Sequence, residues 1–229
     1  MLISHTHNFL FVHIAKTGGT SVRRALRRYR WSGRYAPALL ITSLISQATR
    51  PRHRLGVKFP RHAKAIAAKE MLPDDIYDAL FKFVFVRNPW DLQVSSWHHI
   101  KREKPHVLEG VNTFEAFLRL KFDRERPYDY MLDISRELQS DYLVDLHGNV
   151  IVDFIGHYER LQEDFDTVCD RIGIPRMELP HARRAVDRND YRQYYDDTTA
   201  ALVAEHYAAD IERLGYRFDE PAMDDQGAR

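Results

Sequence analysis

At 229 residues, 44% of them hydrophobic and 29% charged, the chain is long enough to bury a core as one domain over 1–229, with disorder expected only at the last few residues. The single cysteine, Cys169, excludes an intrachain disulfide and any cysteine-cluster zinc site. No window approaches the roughly 18 apolar residues of a membrane span, and Met1-Leu2-Ile3 runs straight into polar residues, so the reading is a cytoplasmic chain without leader or anchor. The net charge of +1 conceals an asymmetry: residues 1–69 carry fourteen Lys or Arg and no Asp or Glu, and the first acid is Glu70. Such a bias points to an anionic ligand held by the N-terminal third, or to a basic face neutralised by the acidic remainder of the chain.

In chain order, the apolar run Asn8 to Ile14 predicts a buried strand, followed by a glycine pair and a helix from about Ser21 to Arg30. Residues 31–60 read as irregular with one short helix. Alanines predict a helix over Ala63 to Met71, and Pro73-Asp74-Asp75 restarts one, because proline and acids suit a first turn. Lys82 to Val86 predicts a second buried strand. After it Asn88 caps, and Pro89 opens, a helix to about Lys101. Thr113 caps another with Phe114, Phe117 and Leu118 on one side. Tyr142 to Asp145 and Val150 to Ile155 are expected to pair as a hairpin around His147-Gly148-Asn149. Two helices close the chain, from about Leu161 to Ile172 before Gly173 and from about Thr198 to Leu214 before Gly215. The class is α/β, with three layers and a mainly parallel central sheet in a P-loop-like arrangement.

Two segments carry the chemistry. Strand, tight loop and helix N-terminus follow one another around Lys16-Thr17-Gly18-Gly19-Thr20-Ser21, which presents backbone N–H groups, hydroxyls and a lysine to a phosphate or sulfate. It is not a Walker A loop, since Lys16 precedes the glycines, and no acidic metal ligand ends either strand; a nucleotide donor cleaved without a metal is the better reading. The second segment delivers Arg87 at the end of a strand, with Ser95 in the helix that follows, at the edge where α/β sheets bind ligands. Arg87 is placed to fork a phosphate, or to pair with Asp91 and brace the turn. Cys169 falls in an apolar helical pattern and reads as core.

His13 to Ser21 resembles the 5′-phosphosulfate loop of carbohydrate-type sulfotransferases, and Phe85 to Asp91 with Ser95 resembles their 3′-phosphate segment. Val152 to Glu159, Asp164-Phe165, Tyr194-Tyr195-Asp196, Asp210-Ile211 and Gly215 to Phe218 extend the resemblance, which covers the heparan- and chondroitin-related and bacterial members. It implies 3′-phosphoadenosine 5′-phosphosulfate as donor and no required metal, with Lys16 to Ser21 on the phosphosulfate and Arg87 and Ser95 on the 3′-phosphate. The family often has proline at the position of Ala15, and asparagine and serine where this chain reads Ala182 to Arg188; Arg183, Arg184 and Arg188 are left as possible donor contacts or a solvated turn. The acceptor would be a hydroxyl, carbohydrate-containing and suited to an acidic glycan, with no nucleic-acid partner.

Lys16 is then the group to stabilise the leaving phosphate oxygen. His62 is favoured as general base, from a position similar to that of the catalytic histidine in heparan-type uronyl sulfotransferases; His98 and His99 are rivals, and His13 reads as core. A P-loop kinase, or a non-catalytic domain binding a nucleotide or a polyanion, stands as the alternative.

Overall fold

The computed structural model of the protein describes residues 1–4, 6–30, 59–180 and 189–219. The described strands form one sheet in the order β1 (Leu2–Ser4), β2 (Phe9–Val12), β3 (Phe81–Val86) and β4 (Phe154–His157). β1 is antiparallel to β2, while β2, β3 and β4 run parallel, with Val12 beside Val84 and Val86 beside His157. This is the mainly parallel α/β sheet expected, and the three parallel strands end on one edge.

Side-chain alternation along the strands sorts the core into two faces. Phe9, Phe11, Phe83 and Phe85 point to one, where Val22 and Leu26 of α1 (Gly19–Leu26) and Phe165, Val168 and Cys169 of α7 (Leu161–Arg171) cover them. Leu10, Val12, Val84 and Val86 point to the other, under Ala65 and Ala68 of α2 (Ala65–Met71) and Tyr77 of α3 (Asp74–Asp78). A third cluster joins Trp90, Val94 and Trp97 of α4 (Pro89–Glu103) to Phe117 and Leu118 of α5 (Phe114–Phe122), Leu132 of α6 (Tyr130–Asp133) and Val203 of α8 (Asp197–His206). Each fully buried aliphatic or aromatic side chain contributes roughly 1.5–3 kcal/mol, so these clusters fix the sheet edge on which the site is built.

Most elements lie where the sequence places them, and the exceptions have local causes. α1 begins two residues early, at Gly19, and turns into a 3₁₀ segment at Arg27–Arg30. The expected hairpin shrinks to one antiparallel bridge, Val144 with Val150. Its second arm runs on into β4, because Asp153 exchanges bonds with β3: its N–H donates to the Lys82 carbonyl (2.7 Å) and its carboxylate accepts from the Lys82 N–H (2.7 Å). The last predicted helix is two, α8 and α9 (Ala208–Leu214), broken at Tyr207 (φ −103°, ψ 22°), whose buried hydroxyl donates to the Ser135 carbonyl at 2.9 Å. The short helix expected within 31–60 falls mostly, and the terminal disorder wholly, outside the described residues, and no helix among the described residues is long and apolar enough to cross a membrane.

Candidate functional site

The loop between β2 and α1 is built from two unlike glycines and a lysine in an unusual conformation. Gly18, the N-cap of α1, has φ +78°, open to glycine without a Cβ penalty. Gly19 is needed for space: a Cβ there would stand 2.1 Å from His13 Cδ2 and 2.3 Å from its Nε2. Lys16 also takes a positive φ, +69°, which is uncommon for a side-chain-bearing residue and marks a conformation imposed by its surroundings. Thr17 is buried and turned inward, its hydroxyl donating to the Ile14 carbonyl at 3.1 Å, so it tightens the loop. Thr20 and Ser21 are half-buried in the first turn of α1.

α1 has no side-chain cap and no acid in its first turn. Asn88 caps α4, Thr113 caps α5 and Asp196 caps α8, whereas α1 and α2 have neither a side-chain cap nor an acid in the first turn, and of these two α1 opens from the loop after a parallel strand. An uncapped N-terminus leaves its first N–H groups and the positive end of the helix dipole available to an anion.

Arg87 stands directly behind this loop and is 3% exposed. Its Nη1 donates to the Lys16 carbonyl (2.9 Å), its Nε and Nη2 hold Asp91 (2.7 and 2.6 Å), and its guanidinium lies 3.7 Å from the centre of the Tyr158 ring. Of the two roles the sequence left open, the pairing with Asp91 is therefore formed, and through Lys16 it also braces the loop. Ser95 is half-buried one turn beyond Asp91 on the same side of α4.

Around Arg87 the backbone is fixed by residues that patterning did not single out. Gln139 accepts from the Arg87 N–H (2.8 Å) and donates to its carbonyl (2.7 Å), Glu159 accepts from the Asn88 N–H (2.7 Å), and Asp210 accepts from the N–H groups of Gln139 and Ser140 (2.7 and 2.8 Å). Glu159 and Asp210 lie in family-like segments; nothing local in the sequence marks Gln139.

His62 reaches the same edge from the chain preceding α2. Its Nδ1 lies 2.8 Å from the His13 carbonyl, an acceptor only, so Nδ1 carries the proton and Nε2 keeps a lone pair. The two rings are 4.7 Å apart, and His13 in turn lies against Gly19. Burial, with the nearby Met1 ammonium, Arg61 and Arg23, outweighs the opposing pull of the His13 carbonyl and lowers the His62 pKa to about 4, so the ring is neutral. His13 is core, as expected, and burial takes it lower still. Among the rivals, His98 bonds the Tyr194 hydroxyl at 2.8 Å and His99 is half-buried on α4. Cys169 is buried and its thiol is pushed up to about 11 by desolvation, as suits a core residue. Arg183, Arg184 and Arg188 lie outside the described residues.

A mostly parallel sheet whose first strand-to-helix loop opens an uncapped helix N-terminus, with a neutral histidine alongside, is an α/β arrangement with the groups to accept an anion. The chain belongs to the Sulfotransferase family, whose pattern matches residues 1–217. It is 26% identical to human carbohydrate sulfotransferase 9 over 92% of this chain and 48% of that protein, and 22% identical to carbohydrate sulfotransferase 14 of Danio rerio over 76% of this chain and 48% of that protein. The chain thus spans about half the length of these two relatives. It is also 33% identical to an uncharacterized protein of Archaeoglobus fulgidus over 52% of this chain and 88% of that one. No solved structure matches.

Proposed function

We propose that the protein transfers a sulfuryl group from 3′-phosphoadenosine 5′-phosphosulfate to a hydroxyl of a carbohydrate or glycolipid. The observation that carries this reading is the juxtaposition of the uncapped, acid-free N-terminus of α1 with the free Nε2 of His62. An anion cradle and a neutral base then share one sheet edge. The N–H groups of Gly18 to Thr20 and the Thr20 and Ser21 hydroxyls suit the phosphosulfate, while the Ser21 N–H closes the first turn on the Gly18 carbonyl (2.9 Å) and Thr17 keeps the loop closed from within. Ser95 and Arg87 are assigned to the 3′-phosphate; because Asp91 already occupies the Arg87 fork, that contact requires the phosphate to share or displace the carboxylate.

In the transfer, His62 Nε2 takes the acceptor hydroxyl proton as the acceptor oxygen bonds to sulfur. The bond from sulfur to the bridging oxygen breaks, and the electron pair leaves on the phosphate, where Lys16 donates a hydrogen bond. A preorganised donor of that kind contributes roughly 3–4 kcal/mol to the transition state. Nothing in this scheme calls for a metal. A carbohydrate acceptor is supported by what the named relatives are, and membership of the Sulfotransferase family favours sulfuryl transfer over a kinase reaction.

The test is a thermal shift with 3′-phosphoadenosine 5′-phosphate, the product of the donor. The wild type should melt higher with it, and Lys16→Ala and Ser95→Ala should show a smaller rise. No shift at millimolar concentration overturns the donor assignment.

A further inference from the structure

Of the aromatic side chains among the described residues, only Tyr128 and Tyr130 stand exposed, at 76% and 53%. One exposed aromatic needs no explanation; two on one fixed turn do. The turn from α5 to α6 is held by Arg126, whose guanidinium forks Asp133 (2.7 and 3.0 Å) and donates to the carbonyls of Leu120 and Lys121 (3.0 and 3.2 Å). Asp133 also accepts from the Asp129 N–H (2.8 Å), and the Asp129 side chain caps α6. The backbone at Asp129 is extended (φ −132°, ψ 121°), which turns Tyr128 and Tyr130 toward the same side, roughly 7 Å apart. Two rings are thus presented on a turn that loses little freedom when a ligand binds.

The same stretch of chain borders the candidate site. Gln139 turns inward to hold Arg87, while Glu137 and Asp141 on either side of it are exposed and meet Lys64 at 3.8 and 3.0 Å. Lys64 follows His62 by two residues and lies over the Tyr142 ring at 5.7 Å. Burial raises the Tyr142 hydroxyl, and after burial the groups acting on it include Glu137 and Tyr130, so both stand beside that residue. Tyr142 therefore links Tyr130 to Lys64 and through it to the candidate base.

This face combines aromatic surface, two carboxylates and an ammonium that they already neutralise, so it has no excess of positive charge to offer an oxyanion. It suits a sugar ring. The C–H groups of a pyranose, polarised by neighbouring oxygens, lie well on the negative face of an aromatic ring, and its hydroxyls donate to carboxylates. A protein partner would ask for a wider apolar core than two rings bordered by acids.

We infer that Tyr128 and Tyr130 are a stacking platform for neutral hexose or N-acetylhexosamine rings of the acceptor, with Glu137, Asp141 and Lys64 bonding ring hydroxyls between the platform and His62. This rests on the sulfotransferase reading for the role of His62, but the platform has a binding readout of its own.

The probes are neutral β-1,4-linked pentamers of glucose, of galactose and of N-acetylglucosamine, with affinity read by NMR titration. At least one should bind the wild type. Tyr128→Ala and Tyr130→Ala should each weaken the tightest of them by about fivefold. Tyr130→Phe keeps the ring and should keep the affinity; Glu137→Gln should lose less than either alanine variant. Because both side chains are exposed, neither alanine variant should lower the melting temperature or the stabilisation by 3′-phosphoadenosine 5′-phosphate, whereas loss of residues needed only for the fold would lower both. Binding of no pentamer at millimolar concentration, unchanged affinity in the alanine variants, or an equal loss in Tyr130→Phe and Tyr130→Ala overturns the inference. So does self-association of the wild type that the alanine variants abolish and the pentamers do not compete. If 3′-phosphoadenosine 5′-phosphate fails to bind while the tyrosine-dependent affinity holds, the donor reading fails and the platform stands; if it binds and no pentamer depends on the tyrosines, the platform alone fails.

Discussion

His62 donates a hydrogen bond from Nδ1 to the main-chain carbonyl of His13 at 2.8 Å and rests its ring against the His13 imidazole, so the candidate base is oriented by the residue that packs on the loop between β2 and α1. The carbonyl selects the tautomer, and Nε2 alone is left to accept a proton. His62→Ala is expected to lower turnover by about 10²–10⁴-fold. Stabilisation by 3′-phosphoadenosine 5′-phosphate should survive, because the cradle is made by the loop. Turnover close to wild type would move the base to His98 or His99.

The depressed His62 pKa also sets a stability profile. The native value is about 4 and the ordinary one 6.5, so between these the unfolded chain takes up a proton that the native chain does not. Stability is present above about 6.5 and is lost as pH falls toward 4; burial of His13, whose pKa drops to about 2, carries the loss further down. The groups facing His62 are His13, the Met1 ammonium, Arg61 and Arg23, none of them an acid that would reverse the sign. Thermal melts of wild type and His62→Gln across this window should show a shallower decline in the variant. A parallel decline would mean that His62 titrates normally.

Gly19→Ala tests the packing of His13 on the loop. The added methyl would lie 2.1 Å from the His13 ring, so either the ring or the loop must move. Overpacking of this kind costs roughly 1–3 kcal/mol. Both the melting temperature and the affinity for 3′-phosphoadenosine 5′-phosphate should fall; Gly173→Ala, where nothing lies within 4 Å but φ is +68°, should lower only the former.

The local parts of this site were legible in the sequence, and the long-range parts were not. Asn88 and Thr113 cap their helices as their side chains require, and the Phe/Val alternation of β3 reports its two buried faces. The Arg87 to Asp91 pair follows from i,i+4 spacing. By contrast, Gln139 meets Arg87 across 52 positions and His62 meets His13 across 49, distances over which no periodicity carries information. β1 has three residues, too few to show an alternation, and the apolar run Val150 to Ile155 reads as a hairpin arm because nothing local marks Asp153 as the residue that bonds Lys82 of β3.

Asp91→Asn separates the two roles of Arg87. If the 3′-phosphate competes with Asp91 for the guanidinium fork, removing the carboxylate charge frees the arginine and binding of 3′-phosphoadenosine 5′-phosphate tightens. If Arg87 only braces Lys16, the variant loosens the loop, and both the affinity and the melting temperature fall. Calorimetric titration of wild type and variant distinguishes the outcomes; the first is expected, by a fewfold, since a charge-assisted fork on phosphate is among the stronger hydrogen-bond pairs.

Lys121 presents the reverse problem, a buried cation with hydroxyl partners in place of an acid. It is 0% exposed, donates to Ser135 Oγ (2.8 Å) and Ser96 Oγ (3.1 Å), and lies over the Phe117 ring at 5.4 Å. Burial, with Lys16 as the leading cation, lowers its pKa well below 10.5. The unfolded chain therefore holds a proton that the native chain resists, and the cost to the wild type grows as pH falls below about 10.5. Methionine keeps the length and the ring contact, and the two serines, already 2.8 Å apart, keep each other. Lys121→Met should therefore melt at or above the wild-type temperature at neutral pH, with the difference shrinking as pH is raised toward 10.5. A loss of several degrees would instead show that the ammonium is charged in the native protein and that its bonds to Ser96 and Ser135 hold α4 against the 135–139 turn that grips Arg87.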